Sequence, residues 1–210
     1  MPSGTAPRLV LATHNAGKLR ELRELLRGQV PGLDVDRQVV DAAAVGAPDV
    51  VETGVTFAEN ALLKAHAVSQ ATGLPAIADD SGLAVAVLGG APGIFSARWA
   101  GRHGDDAANL ALLLAQLGDI GAEHRAAKFV CAAALVRPGP DPLEVLETGE
   151  LRGSLLTEPR GTGGFGYDPI LQPDGWQVSC AELTAQQKNA ISHRGEAFRK
   201  LLPAIVRLLG

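Results

Sequence analysis

Apolar residues along this chain come either in short unbroken runs or at spacings of three and four, the signatures of buried strands and amphipathic helices. Leu9, Val10, Leu11 and Ala12 form the first run, so Arg8 to Thr13 reads as a short buried strand. A turn at Asn15-Ala16-Gly17 follows. Leu19, Leu22 and Leu26 then recur at helical spacing, with Arg20, Glu21, Arg23, Glu24 and Arg27 facing away and Gly28 as the stop. Strand, turn and helix in this order are the usual opening of an α/β nucleotide-binding unit.

Val35 to Val40 reads as a second strand. Thr56 to Ala71 reads as a helix, because Thr56 and Glu59 match a capping box and Phe57, Ala61, Ala65 and Val68 line one face. Pro75 to Ala78 leads into a strand ending at Asp79-Asp80, and Asp105 to Leu117 is a further helix started by Asp105 or Asp106. Ala126 to Leu135 and Leu143 to Leu151 read as paired strands joined through Pro138 to Pro142, the mark of a β-rich second lobe. Gly161 to Gly166 is too rich in glycine for regular structure. A last helix starts near Arg194 and is interrupted near Pro203. The pattern predicts an α/β fold forming one domain over residues 1–210, with two lobes around a cleft.

Composition adds exclusions. With 46% hydrophobic and 20% charged residues the chain is an ordinary globular one, not disordered, coiled or collagen-like. A net charge of −4 argues against nucleic acid as a partner, which favours a basic stripe, but leaves room for a small phosphate ligand. Cys131 and Cys180 are far apart, without CxxC spacing, and read as reduced thiols. No run resembles a signal peptide or a membrane span, so a cytoplasmic location is expected.

Four segments carry chemistry. Thr13-His14-Asn15-Ala16-Gly17-Lys18 lies between strand and helix, where backbone N–H groups and the helix dipole favour an anion. It lacks the P-loop pattern, and an ordinary turn with Lys18 reaching into water explains it as well. Glu52 precedes a helix on which Asn60 and Lys64, four apart, share a face; capping accounts for Glu59, and by spacing alone Glu52 reads as a solvated loop carboxylate. Asp79-Asp80-Ser81 closes an apolar strand, where paired carboxylates need a proton, a hydrogen bond or a cation. Mg²⁺ suits such oxygens, and a turn or helix cap is the alternative. Lastly, glycines flank Phe165 and Tyr167, so that a nucleobase could stack on either ring. Gly166 and Asp168 belong to this loop, and Lys188, His193 and Arg194 offer charge and donors. A flexible loop beside a basic helix start is the alternative.

Taken in order, these segments resemble the Ham1/RdgB-type inosine triphosphate pyrophosphatase family. The likeness runs from about Arg8 into the last helix and is sharpest in ADDSGLAVAVLGGAPGIFS from Ala78, GTGGFGYDP from Gly161 and ISHRG from Ile191. The resemblance implies a homodimer with an elongated, two-lobed α/β fold built on a long central mixed sheet flanked by helices. It implies Mg²⁺-dependent hydrolysis of ITP, dITP and XTP to the monophosphate and pyrophosphate. Asp80 matches the general base and a metal contact, and Glu52 the second metal carboxylate. Thr13, His14, Asn15, Ala16, Gly17 and Lys18 match the substrate-binding turn, and Lys64 a phosphate-side lysine. Ser81, Phe165, Gly166, Tyr167, Asp168, Lys188, His193 and Arg194 match the remaining substrate contacts. His14 stands where many relatives carry glycine, and Cys180 where methionine or alanine is commoner. A non-catalytic nucleotide sensor and a phosphohydrolase releasing orthophosphate are the rival readings.

Overall fold

The computed structural model describes residues 6–13 and 15–210. Its secondary structure is β1 (Leu9–Leu11), α1 (Ala16–Leu26), α2 (Val35–Gln38), β2 (Val39–Asp41), α3 (Phe57–Thr72), β3 (Ala76–Val85), α4 (Asp106–Gln116), β4 (Ala126–Arg137), β5 (Leu143–Leu155), β6 (Leu171–Pro173), α5 (Ala185–Ile191) and α6 (His193–Leu209), with short 3₁₀ turns between. The strands form one six-stranded sheet in the order β2-β1-β3-β4-β5-β6. It is mixed: β1 runs parallel to β2 and β3, and β5 pairs antiparallel with β6. The expected α/β class, with a mixed sheet flanked by helices, holds.

Chain contacts divide the molecule into two compact units. The first comprises residues 1–80, 132–148 and 196–210, and the second residues 81–131 and 149–195. Strands β3, β4 and β5 contribute residues to both.

In the first unit, Leu9, Val10 and Leu11 are fully buried in a strand with a neighbour on each side. Leu19, Leu22 and Leu26 of α1 are buried as their spacing predicts. In α3 the capping box is present, and Ala61, Ala65 and Val68 are buried. The run from Val35 opens as one helical turn, because the Asp34 side chain accepts hydrogen bonds from the Asp36 and Arg37 amides before β2 begins. Pro203 does not interrupt α6. Phe198, Leu201, Ala204, Ile205 and Leu209 are buried on both sides of it, and this burial outweighs one missing backbone bond. Arg8 donates to the Leu209 carbonyl at 2.5 Å, satisfying an acceptor at the open end of that helix.

In the second unit, Leu83, Val85, Leu113, Leu117, Phe129, Ile170, Leu171 and Cys180 share a core. Arg125 is 2% exposed, yet its guanidinium donates to the carbonyls of Leu117, Ile120, Leu155 and Leu156. A buried cation is tolerated there because four acceptors replace water.

Candidate functional site

The chain passes from β1 to β2 on one side and later returns as β3 on the other. Loops after the carboxyl ends of parallel strands at such a reversal are where α/β sheets hold ligands. Two of the predicted segments lie at that level, since Leu11 pairs with Ile77 and the Ala12 amide donates to the Ile77 carbonyl at 2.7 Å. On one strand follow Thr13 to Lys18, on the other Asp79 and Asp80.

Asn15 is the N-cap of α1. Its side-chain oxygen accepts from the amides of Gly17 at 2.8 Å and Lys18 at 3.3 Å, and its own amide donates to the Thr13 hydroxyl at 3.1 Å. The turn thus binds its own first-turn donors instead of presenting them bare. Lys18 does not reach into water either. Its ammonium donates to both Asp79 oxygens, at 2.8 and 3.0 Å, so an internal carboxylate offsets the cost of a cation in the first helical turn. His14 lies outside the described residues, and of Ala16 only the backbone, opening α1, is described.

Strand β3 continues through the acidic pair instead of ending there. Successive side chains of a strand point to opposite faces, so Asp79 and Asp80 are turned away from one another. That geometry removes most of the repulsion their adjacency suggests. Asp79 meets Lys18. The Asp80 Oδ2 accepts from the Asn60 amide nitrogen at 3.0 Å, and its Oδ1 lies 3.9 Å from Lys64 Nζ. Lys64 also donates to Glu52 Oε1 at 2.5 Å, which places one ammonium between two carboxylates. The other end of the buried Asn60 amide accepts from the Gly54 amide at 2.8 Å, locking the Glu52 loop to α3. A side chain at Gly54 would come within 2.7 Å of that Asn60 oxygen, so the close approach requires glycine. Glu59 accepts from the Val55 and Thr56 amides and is a cap only. Glu52, Lys64 and Asp80 are therefore brought together, with Asn60 as a partner whose signal was its i,i+4 relation to Lys64.

In the second unit the glycine-rich loop is built around Asp168. Its Oδ2 accepts from the Phe165 amide at 2.8 Å and from Lys188, and a Cβ at Gly164 would lie 2.0 Å from the same oxygen. Phe165 is 63% exposed, with Lys188 Nζ 5.0 Å from its ring centre, so a cation lies on an available aromatic face. Tyr167 does not offer its ring in this way. It is buried, its hydroxyl donates to the Ser96 carbonyl at 2.9 Å, and burial first and the Asp106 charge second raise its pKa. The Ser96 hydroxyl in turn accepts from the Leu83 amide and donates to the Gly93 carbonyl; a Cβ on Gly82 would meet that hydroxyl at 2.4 Å. The buried Arg194 donates to the Ser81 hydroxyl at 3.4 Å, and the His193 ring stacks on Phe129 with centres 5.1 Å apart. Burial pushes the Cys180 thiol up to about 12, with Asp168 reinforcing the shift and Lys188 opposing it.

Among the described residues no group of three or more His, Cys, Asp and Glu side chains is gathered to hold a metal by itself, and no helix is long and apolar enough to cross a membrane. The model of the Ham1 family matches residues 9–204. Over 203 residues the chain is 66% identical to a dITP/XTP pyrophosphatase of Streptomyces coelicolor, covering 97% of this chain and 99% of that one. Among solved structures, a HAM1 protein from Coxiella burnetii matches with a TM-score of 0.86 and 42% identity, over 96% of this chain and 99% of the other. A nucleoside-triphosphatase / dITP/XTP pyrophosphatase from Mycobacterium abscessus matches with a TM-score of 0.77 and 49% identity, over 93% and 99%. A match of this extent, over a chain that joins its acidic pair and its glycine-rich loop to these partners, means that the protein belongs to the Ham1 family.

Proposed function

We propose that this chain hydrolyses the non-canonical purine nucleotides dITP, ITP and XTP to the nucleoside monophosphate and pyrophosphate. The observation that carries the reading is the Glu52–Lys64–Asp80 arrangement in a chain so similar to dITP/XTP pyrophosphatases. Phosphate contacts are assigned to the Thr13–Lys18 turn, His14 among its residues, and to Lys64; Lys18 and Lys64 supply the cationic charge. Purine contacts are assigned to Ser81, Phe165, Gly166, Tyr167, Asp168, Lys188, His193 and Arg194, with Phe165 as the stacking face and Tyr167 as the anchor of the loop.

Enzymes that act on nucleoside triphosphates in this way generally use a divalent metal. The donors fit a hard ion such as Mg²⁺: Glu52 and Asp80 are carboxylates already drawn to one cation, Lys64. Two carboxylates are few, as suits an ion that keeps water and brings phosphate oxygens with it. When bound, such an ion supplies neutralisation of the triphosphate oxygens and a lower pKa for water.

Asp80 accepts the proton of the attacking water. Asn60 fixes the rotation of that carboxylate through Oδ2, and Oδ1, turned towards Lys64, is the oxygen assigned to the proton. The new bond forms between water oxygen and the α-phosphorus; the bond from that phosphorus to the bridging oxygen breaks, and pyrophosphate departs. Lysine charge preorganised around the phosphates supplies most of the stabilisation. Donors from Arg194 or from backbone N–H groups suit the 6-oxo group of the purine and so separate these substrates from ATP. A site built to hydrogen-bond such a group can reject an analogue unable to make the bond by about 10⁴–10⁵. Guanine carries the same oxo group, and its rejection falls to the 2-amino position.

Product analysis with dITP, ITP, XTP, GTP and ATP in parallel is the test. Pyrophosphate and monophosphate from the first three, little turnover of the last two, and loss of turnover in Asp80→Asn are expected. Orthophosphate as product, or ATP consumed as fast as ITP, would overturn the reading. The homodimer belongs to the same proposal, and light scattering on the purified protein at micromolar concentration reads it directly.

A further inference from the structure

The loop from Gly161 to Asp168 has no regular structure, yet almost every bond that fixes its second half is accounted for. Gly163 donates to the Ala181 carbonyl, Phe165 to the Asp168 side chain, and Asp168 to the Phe165 carbonyl. One bond differs in kind. The Gly166 amide donates at 2.9 Å to Oδ2 of Asp106, sixty residues away on the first turn of α4. Asp105, not Asp106, is the N-cap and accepts from the Ala108 amide; Asp106 follows it in the first turn, where the helix dipole also favours a carboxylate. Gly166 has φ +58°, a left-handed conformation that the chain must hold between the exposed Phe165 ring and the buried Tyr167 ring. The Asp106 bond holds the backbone at that residue from outside the loop.

We propose that Asp106 is a positioning residue for nucleobase recognition: its carboxylate pins the Gly166 amide and so sets the direction in which Phe165 presents its face. The inference rests on the reading of Phe165 as the stacking partner of the purine. Because a carboxylate bonded to an N–H is the stronger kind of hydrogen bond, the pinned loop is the dominant conformer before any ligand arrives. Removing the pin leaves the binding-competent loop as a fraction of the population, and apparent affinity falls by that fraction. Steps at the phosphates do not involve Asp106, so saturating nucleotide restores the rate.

Four variants decide the matter: Asp106→Ala, Asp106→Asn, Asp105→Ala and Phe165→Ala. For Asp106→Ala, KM for ITP rises by about tenfold, the size of one lost charge-assisted hydrogen bond, while kcat stays within about twofold. Hydrogen exchange at the Gly166 amide, read by NMR, accelerates by about the same factor. Asp106→Asn keeps an oxygen acceptor without the charge and recovers both in part. Asp105→Ala weakens the helix start and leaves both near the wild-type values. If Asp105→Ala reproduces the KM rise, the effect is fraying of α4 and the proposal fails. It fails equally if Asp106→Ala leaves Gly166 exchange or KM unchanged. A Phe165→Ala variant with unaltered KM, beside fast Gly166 exchange in Asp106→Ala, would instead place the error in the base-loop reading.

Discussion

The Lys18–Asp79 pair lends itself to an asymmetric test. The Asp79 side chain is 1% exposed and the Lys18 side chain 21%. Lys18→Met removes the ammonium that meets both carboxylate oxygens and leaves a deeply buried charge without it. Removing one partner of a buried pair costs about 3–5 kcal/mol. Methionine also relieves the first turn of α1 of a cation, returning about 0.3–1 kcal/mol. The net expectation is a loss of about 2–4.7 kcal/mol. Asp79→Asn keeps the shape and one acceptor oxygen, and the stranded ammonium can turn towards solvent. Its expected cost is about 1–1.5 kcal/mol, the value of a weakened hydrogen bond. Urea unfolding near neutral pH, without nucleotide or metal, separates the two. With a slope of about 2 kcal/mol per molar, Lys18→Met moves the midpoint by more than about 1 M and Asp79→Asn by roughly half as much or less. Far-ultraviolet circular dichroism is the suitable probe, because Trp99 and Trp176 both lie in the other unit. Equal losses, or a larger loss for Asp79→Asn, would refute the argument that burial of the carboxylate sets the cost.

Three further outcomes follow from the same packing. Gly164→Ala combines a residue at φ +73° with a Cβ placed 2.0 Å from Asp168 Oδ2; it should lower kcat/KM for ITP by at least about tenfold through the base loop, and wild-type kinetics would contradict this. Tyr167→Phe leaves the buried Ser96 carbonyl without its phenol donor and should cost about 1–3 kcal/mol, or roughly 2–10 °C in thermal midpoint; no shift would mean that the bond contributes nothing. Cys180 holds its proton up to about 12, whereas the unfolded thiol loses it near about 8.5. The stabilisation is therefore complete below the unfolded value and is lost as pH rises from there through about 12. A thiol reagent at mildly alkaline pH should leave Cys180 unlabelled until the chain unfolds, and labelling of Cys180 in the folded protein would count against a buried neutral thiol.

Much of this was legible in the residues themselves, and most of what was not depends on partners distant in the chain. The β1–turn–α1 opening and the capped helix α3 rest on local patterns, which the fold leaves intact. Val35 and Asp79 differ from the expectation for two reasons, the first a neighbouring cap and the second a distant cation. Asp34 caps a helical turn in front of the second strand, and a lysine on α1 neutralises an aspartate that otherwise reads as a turn residue. Helix α5 has no clear periodic signal although Thr184 and Gln187 form a capping box, because it is only about two turns long. The bond from Asp106 to Gly166 has no local signature, since sixty residues of chain separate its ends. For Tyr167, the glycines around it suggested a free ring, and only the position of the Ser96 carbonyl shows that the ring is spoken for.

The placement of Asp79 and Asp80 on consecutive positions of one strand makes their jobs a matter of parity. A single residue inserted between Ala76 and Ala78 would exchange the faces: the aspartate now directed at Lys18 would be turned to Asn60 and Lys64, and its neighbour the reverse. Two inserted residues would restore the faces but carry both carboxylates about 6–7 Å along the strand, beyond the reach of the same partners. Natural variation in the length of this chain is therefore expected in the turn before β3 or in the β4–β5 connection, and not within the three residues that count off the acidic pair from the strand's start.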